Sequence, residues 1–162
     1  TAERPVNFAN SVVALFTKHG CNSGGCHGKS SGQNGFKLSL LGFEPQEDYE
    51  YLLREARGRR GFPAAPERSL LLLKATGQLP HGGGSRIDAG SFDYRRLVKW
   101  IRQGMPYGKP NDPKLESITV HPAERIMKPS ARQQLVVLAR MSDGSIEDIT
   151  HSAVYEANYR EY

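Results

Sequence analysis

Two cysteines and a histidine lie within seven residues, in the segment Cys21-Asn22-Ser23-Gly24-Gly25-Cys26-His27. These are the only two cysteines among the 162 residues of the chain. A c-type haem is attached by such a set of residues. The two thiols form thioethers, and the imidazole that follows the second thiol binds the iron. The usual motif has two residues between the cysteines, whereas this chain has four. The segment predicts haem attachment through Cys21 and Cys26, with His27 as an iron ligand.

The same residues allow other interpretations. Cys21 and Cys26 are close enough in sequence for a local disulfide, which would close a small loop with modest stabilisation. A structural zinc site needs four ligands, and the chain has no second cysteine pair. The grouping could also be chance. The Ser-Gly-Gly run at 23–25 favours haem, because small residues and glycines let a longer loop bulge outward without displacing His27.

Four amphipathic segments predict helices before residue 105. The first covers about Asn7 to His19, and the second runs from about Pro45 to Arg57. A third, short helix follows Pro66, and the clearest begins after Ser91, which is a good N-cap, and ends at Gly104. With 17 glycines and 10 prolines, we expect a loop-rich domain whose thin core a buried macrocycle would complete.

A change in composition at the proline-rich segment 106–114 indicates a linker. We therefore predict a first domain at 1–108, a linker at 109–114 and a second domain at 115–162. Strands with a hairpin turn at 142–145 are predicted at 117–120, 133–141, 146–149 and from about 153.

The formal net charge of +5 favours an acidic partner. The basic residues are scattered apart from Arg57, Arg59 and Arg60, so we expect no nucleic-acid binding. No apolar run approaches the roughly 20 residues of a membrane span. The chain shows no signal-peptide pattern. Because haem c is attached outside the cytoplasm, we expect a periplasmic or exported protein whose leader is absent from this chain.

The first and last predicted helices resemble the terminal helices of class I cytochromes c, which cross and pack behind the haem. The resemblance implies that Phe16 contacts Tyr94, Leu97 or Trp100, although an ordinary helix pair predicts the same packing.

In class I cytochromes the distal iron ligand lies on a loop just before the last helix, and the corresponding loop here is 79–86. His81 occupies the place where such proteins commonly carry methionine followed by proline. The glycines at 82–84 would let the backbone fold closely over the haem. Met105, a thioether donor beyond the last helix, is the alternative ligand.

Ligation by two histidines predicts a six-coordinate, low-spin haem of low reduction potential. We expect the other ring nitrogen of each ligand to donate to a carbonyl or to water. Arg86 is a candidate partner for the haem propionates, with Arg59 or Arg60 as alternatives. A solvated arginine is an equally good interpretation of each.

Six short segments within residues 8–108 form a recognisable set. They are Cys21-x4-Cys26-His27-Gly28-Lys29, Gly35-Phe36-Lys37-Leu38-Ser39-Leu40, Gly58-Arg59-Arg60, Pro66-x-x-Ser69-Leu70-Leu71-Leu72-Leu73-Lys74, Pro80-His81-Gly82-Gly83-Gly84 and Trp100-Ile101-x-x-Gly104. The set resembles planctomycete c-type cytochrome domains, which head large exported proteins. The resemblance implies one haem c on both cysteines, a proximal histidine after the second, and a pocket lined by Phe36, Leu38 and Leu40.

The chain after residue 115 carries a second set of motifs. They are Ile118-x-Val120-x-Pro122-Ala123-Glu124, Gln134-Leu135, Ser142-Asp143-Gly144-Ser145 and Asp148-Ile149-Thr150. This set is similar to the start of bacterial Ig-like group 2 domains. Such sandwiches need about seven strands, and the segment has room for three or four. The resemblance implies a truncated or intermolecularly completed domain, whose open edges are prone to pairing or swapping.

We therefore expect a mainly α, cytochrome c-like domain with class I-like helices around a covalent haem, followed by a partial β-sandwich. The expected function is one-electron transfer with a redox partner protein, and not catalysis. A haem sensor or peroxidase-like enzyme with a displaceable distal ligand is one alternative. A disulfide-bonded adhesion module without haem is the other.

Overall fold

The computed structural model describes residues 5–158 and divides into two compact units, one ending at Pro110 and the other beginning at Asn111. This boundary falls inside the segment 106–114. The outer ends of the two predicted domains, 1–4 and 159–162, lie outside the described residues.

The first unit contains short helices joined by long loops. Its α-helices are α1 (Val13–Lys18), α2 (Pro45–Leu53), α3 (Leu70–Ala75) and α4 (Phe92–Arg102). A π-helical turn at Phe8–Val12 precedes α1, and 3-10 turns cover Leu40–Gly42, Glu55–Gly58 and Pro66–Arg68. A helix is thus present in each predicted segment, and Ser91 caps α4 by accepting the Tyr94 N–H at 3.1 Å. None of the helices within 5–158 is long and apolar enough to cross a membrane.

An aromatic cluster forms the core of the first unit. The fully buried Phe8 ring lies 6.4 Å from the Phe16 ring, 5.5 Å from Trp100 and 5.2 Å from Tyr49, measured between centroids. Phe16, Leu97 and Trp100 belong to the same buried cluster. This cluster joins the first and last helical segments, which carry the loops on either side of the candidate site.

The second unit contains one three-stranded antiparallel sheet in the order β1-β2-β3. The strands are β1 (Leu115–His121), β2 (Val136–Met141) and β3 (Ile146–Asp148). Alternate β2 residues are buried, whereas every residue of β1 is exposed. The turn between β2 and β3 falls at 142–145, as predicted, and the described residues from 153 onward form no strand.

The predicted fold class, a mainly α cytochrome c-like domain with a partial β-sandwich, is wrong. Helix accounts for about 31% of the structure and strand for about 12%, and the strands form one antiparallel sheet. Left-handed backbone shortens the helices: Ala56 and Arg57, with φ of 50° and 62°, divert the chain soon after α2. The helix predicted to reach Arg57 therefore ends at Leu53.

Candidate functional site

A buried carboxylate fixes the end of α1, from which the two-cysteine loop starts. Asp93, near the start of α4, lies 2.7 Å from Lys18 Nζ and 2.8 Å from His19 Nε2 through its Oδ2 atom. Burial raises the pKa of Asp93, but the hydrogen bonds and charges of Lys18 and His19 outweigh it and hold that pKa below its ordinary value. The ionised carboxylate thus joins α1 to α4.

The segment 21–28 is a closed loop directly after this point. The His27 N–H donates to the Cys21 carbonyl at 3.0 Å, and the Gly28 N–H donates to the Ser23 carbonyl at 2.9 Å. The two glycines at 24–25 are exposed. The additional residues therefore project outward, and the backbones of Cys21 and His27 stay hydrogen-bonded across the loop.

Both cysteines are half-buried free thiols. Burial raises the pKa of the Cys21 thiol to about 11, although the nearby Arg86 charge opposes the shift. The exposed Arg86 guanidinium approaches Cys26, with 3.6 Å between Nη2 and Sγ. The loop therefore presents two separate thiols, with a cation beside one of them.

His27 is half-buried and braced by Phe36. Its Nδ1 atom lies 3.0 Å from the Phe36 carbonyl oxygen, and its ring centroid lies 4.7 Å from the Phe36 ring centroid. A carbonyl only accepts, so Nδ1 carries the hydrogen, and in the neutral ring Nε2 has the lone pair. Burial lowers the pKa of His27 from its ordinary 6.5; the Phe36 carbonyl opposes this, and the charges of His81 and Arg60 add to it. The lowered pKa favours the neutral imidazole, which is the form that binds metals.

His81, on the glycine-rich loop before α4, lies beside His27. The two rings are nearly parallel, with 10° between their planes and 6.1 Å between their centroids. The His81 Nδ1 atom lies 2.8 Å from the Gly84 carbonyl oxygen, so Nδ1 carries the hydrogen, and in the neutral ring Nε2 has the lone pair. The hydrogen bonds to carbonyls that we expected for both rings are present.

The donor atoms and the ring spacing of these residues suit a haem iron. Two metal–imidazole bonds of about 2 Å each would place the centroids of two rings, one on each side of an ion, about 6 Å apart. The observed separation is 6.1 Å. Two Nε2 lone pairs, with two free thiols in the same loop as one of them, are the donors that a covalently attached, six-coordinate haem requires.

The alternative ligand, Met105, makes other contacts. Its sulfur packs against the backbone of Gly61, where an added Cβ would overlap it. Its carbonyl accepts the Tyr49 hydroxyl at 2.8 Å. The ring beside His27 is that of His81. Among residues 5–158, no group of three or more His, Cys, Asp or Glu side chains forms a metal site.

The three residues predicted to line the pocket lie in different surroundings. Leu38 is buried in the core of the first unit, and the Phe36 ring contacts the His27 ring. Leu40 is 55% exposed, and a Cβ on Gly24 would lie 3.9 Å from its Cδ1 atom. Leu40 therefore presents an apolar surface beside the cysteine loop, whereas Leu38 supports the fold.

Arg60, which the sequence offered only as an alternative partner for the haem propionates, is buried in contacts that the sequence did not predict. It is only 6% exposed and donates to the carbonyls of Tyr51 at 2.7 Å and Gly35 at 2.6 Å. Its guanidinium carbon lies 4.5 Å from the Phe36 ring centroid. The one signal in the sequence was its position in an arginine-rich turn, and the exposed Arg59 shares that signal.

Comparison of the chain with family models, with curated proteins and with solved structures gives no match. The resemblances to planctomycete c-type cytochrome domains and to bacterial Ig-like domains stay predictions. The function is therefore inferred from the two thiols and two imidazoles themselves.

Proposed function

We propose that this chain carries one covalent haem c and transfers single electrons. The observation that supports this most is the nearly parallel pair of imidazoles, 6.1 Å apart between centroids, next to two free thiols. Cys21 and Cys26 would hold the macrocycle as thioethers, and the Nε2 atoms of His27 and His81 would bind the iron. A bound haem would supply a metal centre that takes up and releases one electron.

The residues of the chain orient both ligands. The carbonyls of Phe36 and Gly84 accept the two Nδ1 hydrogens, which selects one tautomer and restricts rotation of each ring. If His27 and His81 both bound the iron, a small molecule would have to displace one of them before it could bind. This arrangement favours an electron carrier over a haem sensor or a peroxidase-like enzyme. Two imidazoles also favour a lower potential than one imidazole with a methionine.

The proposed partner is a redox protein with an acidic surface. Electron transfer between two proteins requires a close, transient complex, and opposite charges accelerate its formation. The formal net charge of this chain is +5. Since haem c is attached outside the cytoplasm, we also propose a periplasmic or exported location.

Mass spectrometry of the intact protein tests haem attachment, after expression with a haem c maturation system. The wild-type chain should gain the mass of one haem, and each single variant, Cys21→Ala or Cys26→Ala, should keep it through one thioether. The double variant is the matched control and should gain none. A wild-type mass without haem and lower by two hydrogens would show a disulfide and overturn the proposal.

Visible spectra test the ligation. The reduced protein should show sharp α and β bands and bind carbon monoxide only as fast as a protein ligand leaves. Rapid carbon monoxide binding, or turnover of peroxide, would instead support the sensor or peroxidase-like alternative.

A further inference from the structure

We propose, building on the haem function above, that Arg60 is a positioning residue that holds a positive charge behind the proximal histidine and raises the reduction potential of the iron. Its role differs from that of a propionate partner, because it acts through Phe36 and the backbone that orients His27.

Within residues 5–158, Arg60 is a buried cation without a carboxylate partner. Its guanidinium donates to two carbonyl oxygens, those of Tyr51 and Gly35. Among the described residues, no ion pair within 4.0 Å involves Arg60. Carbonyls satisfy the N–H groups but leave the charge uncancelled. The charges that act on it electrostatically, Glu55 and Arg59, are exposed and opposite in sign.

This charge lies one aromatic ring away from the proximal ligand. The Arg60 guanidinium carbon is 4.5 Å from the Phe36 ring centroid, and that centroid is 4.7 Å from the His27 ring centroid. Arg60 also holds the carbonyl of Gly35, the residue next to the one whose carbonyl accepts the His27 Nδ1 hydrogen. One side chain therefore both supplies charge and fixes the backbone that orients the ligand.

The direction of the effect follows from Coulomb's law. Oxidation adds one positive charge to the iron, so a fixed cation nearby destabilises the oxidised form more than the reduced form. A buried charge is less screened than one in solvent, so Arg60 should act more strongly than Arg59. The expected result is a higher potential than the two imidazoles alone would give.

Spectroelectrochemical titration of the haem-loaded chain tests this, with Arg60→Gln compared with Arg59→Gln. Both variants remove one positive charge, and the two positions are adjacent in sequence, but only Arg60 is buried. We expect a shift to more negative potential in Arg60→Gln and little change in Arg59→Gln. An unchanged potential in Arg60→Gln, or equal shifts in the two variants, would refute the role of Arg60.

Arg60→Lys separates the charge from the hydrogen bonds, and Arg60→Met is a second charge-free variant if Arg60→Gln does not fold. The lysine keeps the charge but not the planar fork, so its potential should stay near that of the wild type. A potential as low as that of the charge-free variant would assign the effect to hydrogen bonding and refute the electrostatic role. Absence of haem from the wild type would instead refute the proposed function itself.

Discussion

The two histidines of the candidate site are held in different ways. His27 ends a closed loop, contacts the ring and carbonyl of Phe36, and has the buried Arg60 behind that ring. His81 lies among glycines, and its Nδ1 hydrogen goes to Gly84, only three residues further along the chain. The His27 ring is held by Phe36, which lies on a different loop, whereas the His81 ring is held by a residue of its own loop.

If the chain binds haem as proposed, this difference predicts that the two ligands differ in how firmly they are held. Displacing His27 would break its contacts with the ring and carbonyl of Phe36, which Arg60 supports from behind, so it requires a larger local opening than displacing His81. In the proposed haem protein we therefore expect both histidines to stay bound during electron transfer, and His81 rather than His27 to be the one that dissociates when carbon monoxide binds slowly.

Removing each ligand in turn should give the largest effects. We expect His27→Ala to yield no stable low-spin haem protein, because the fixed ligand is lost. We expect His81→Ala to keep its covalent haem but to open one position on the iron. Visible spectra and stopped-flow carbon monoxide binding measure both, and reduced His81→Ala should bind carbon monoxide at least tenfold faster than the wild type, since no protein ligand must leave first.

The exposed His121 in the second unit provides the control, because His121→Ala should leave spectrum and ligand binding unchanged. Identical spectra for the wild type and His81→Ala would contradict ligation by His81 and favour Met105.

Alanine substitutions at glycine should show a smaller effect, on stability. A Cβ at Gly28 would overlap the carbonyl oxygens of Asn22 and Ser23, whereas a Cβ at Gly25 or Gly82 would meet no atom within 4 Å. We expect Gly28→Ala to lower the free energy of unfolding by about 1–3 kcal/mol, and Gly25→Ala and Gly82→Ala to change it by about 0.5 kcal/mol or less. Urea unfolding of the haem-free chain measures all three, and equal stabilities would contradict the closed loop.

Local sequence signals predicted the positions of the helices more accurately than they predicted the fold class. The spacing of apolar residues located all four helices, and Ser91 marked the start of α4, because amphipathic periodicity and capping are local properties. Helix length was not predictable in the same way. The left-handed residues Ala56 and Arg57, which carry side chains that usually avoid this backbone, shortened α2.

Within the candidate site, the sequence predicted residue types better than their burial. His81 was chosen from its loop position, and its ring does lie beside that of His27. Arg59 and Arg60 are indistinguishable as sequence letters, yet the turn that contains them exposes one and buries the other. The glycines at 24–25 project outward as expected, but their backbone is not left-handed and an added Cβ would meet no atom closer than 3.9 Å, so neither position requires glycine.

The smallest expected effect concerns pH and tests whether His27 is the more enclosed ring. Burial lowers its pKa below the ordinary 6.5. Between the folded pKa and 6.5, the unfolded chain binds more protons at this residue than the folded chain does. The stability that His27 contributes is therefore complete above pH 6.5 and is lost as the pH falls through the folded pKa.

An NMR titration of the haem-free chain, with the His27 resonance assigned by its absence in His27→Ala, should give a midpoint below 6.5. The urea midpoint should decrease over the same interval. A titration midpoint at or above 6.5 would show that the His27 ring is as open to solvent as a histidine on an exposed loop. That result would contradict the difference in enclosure between His27 and His81.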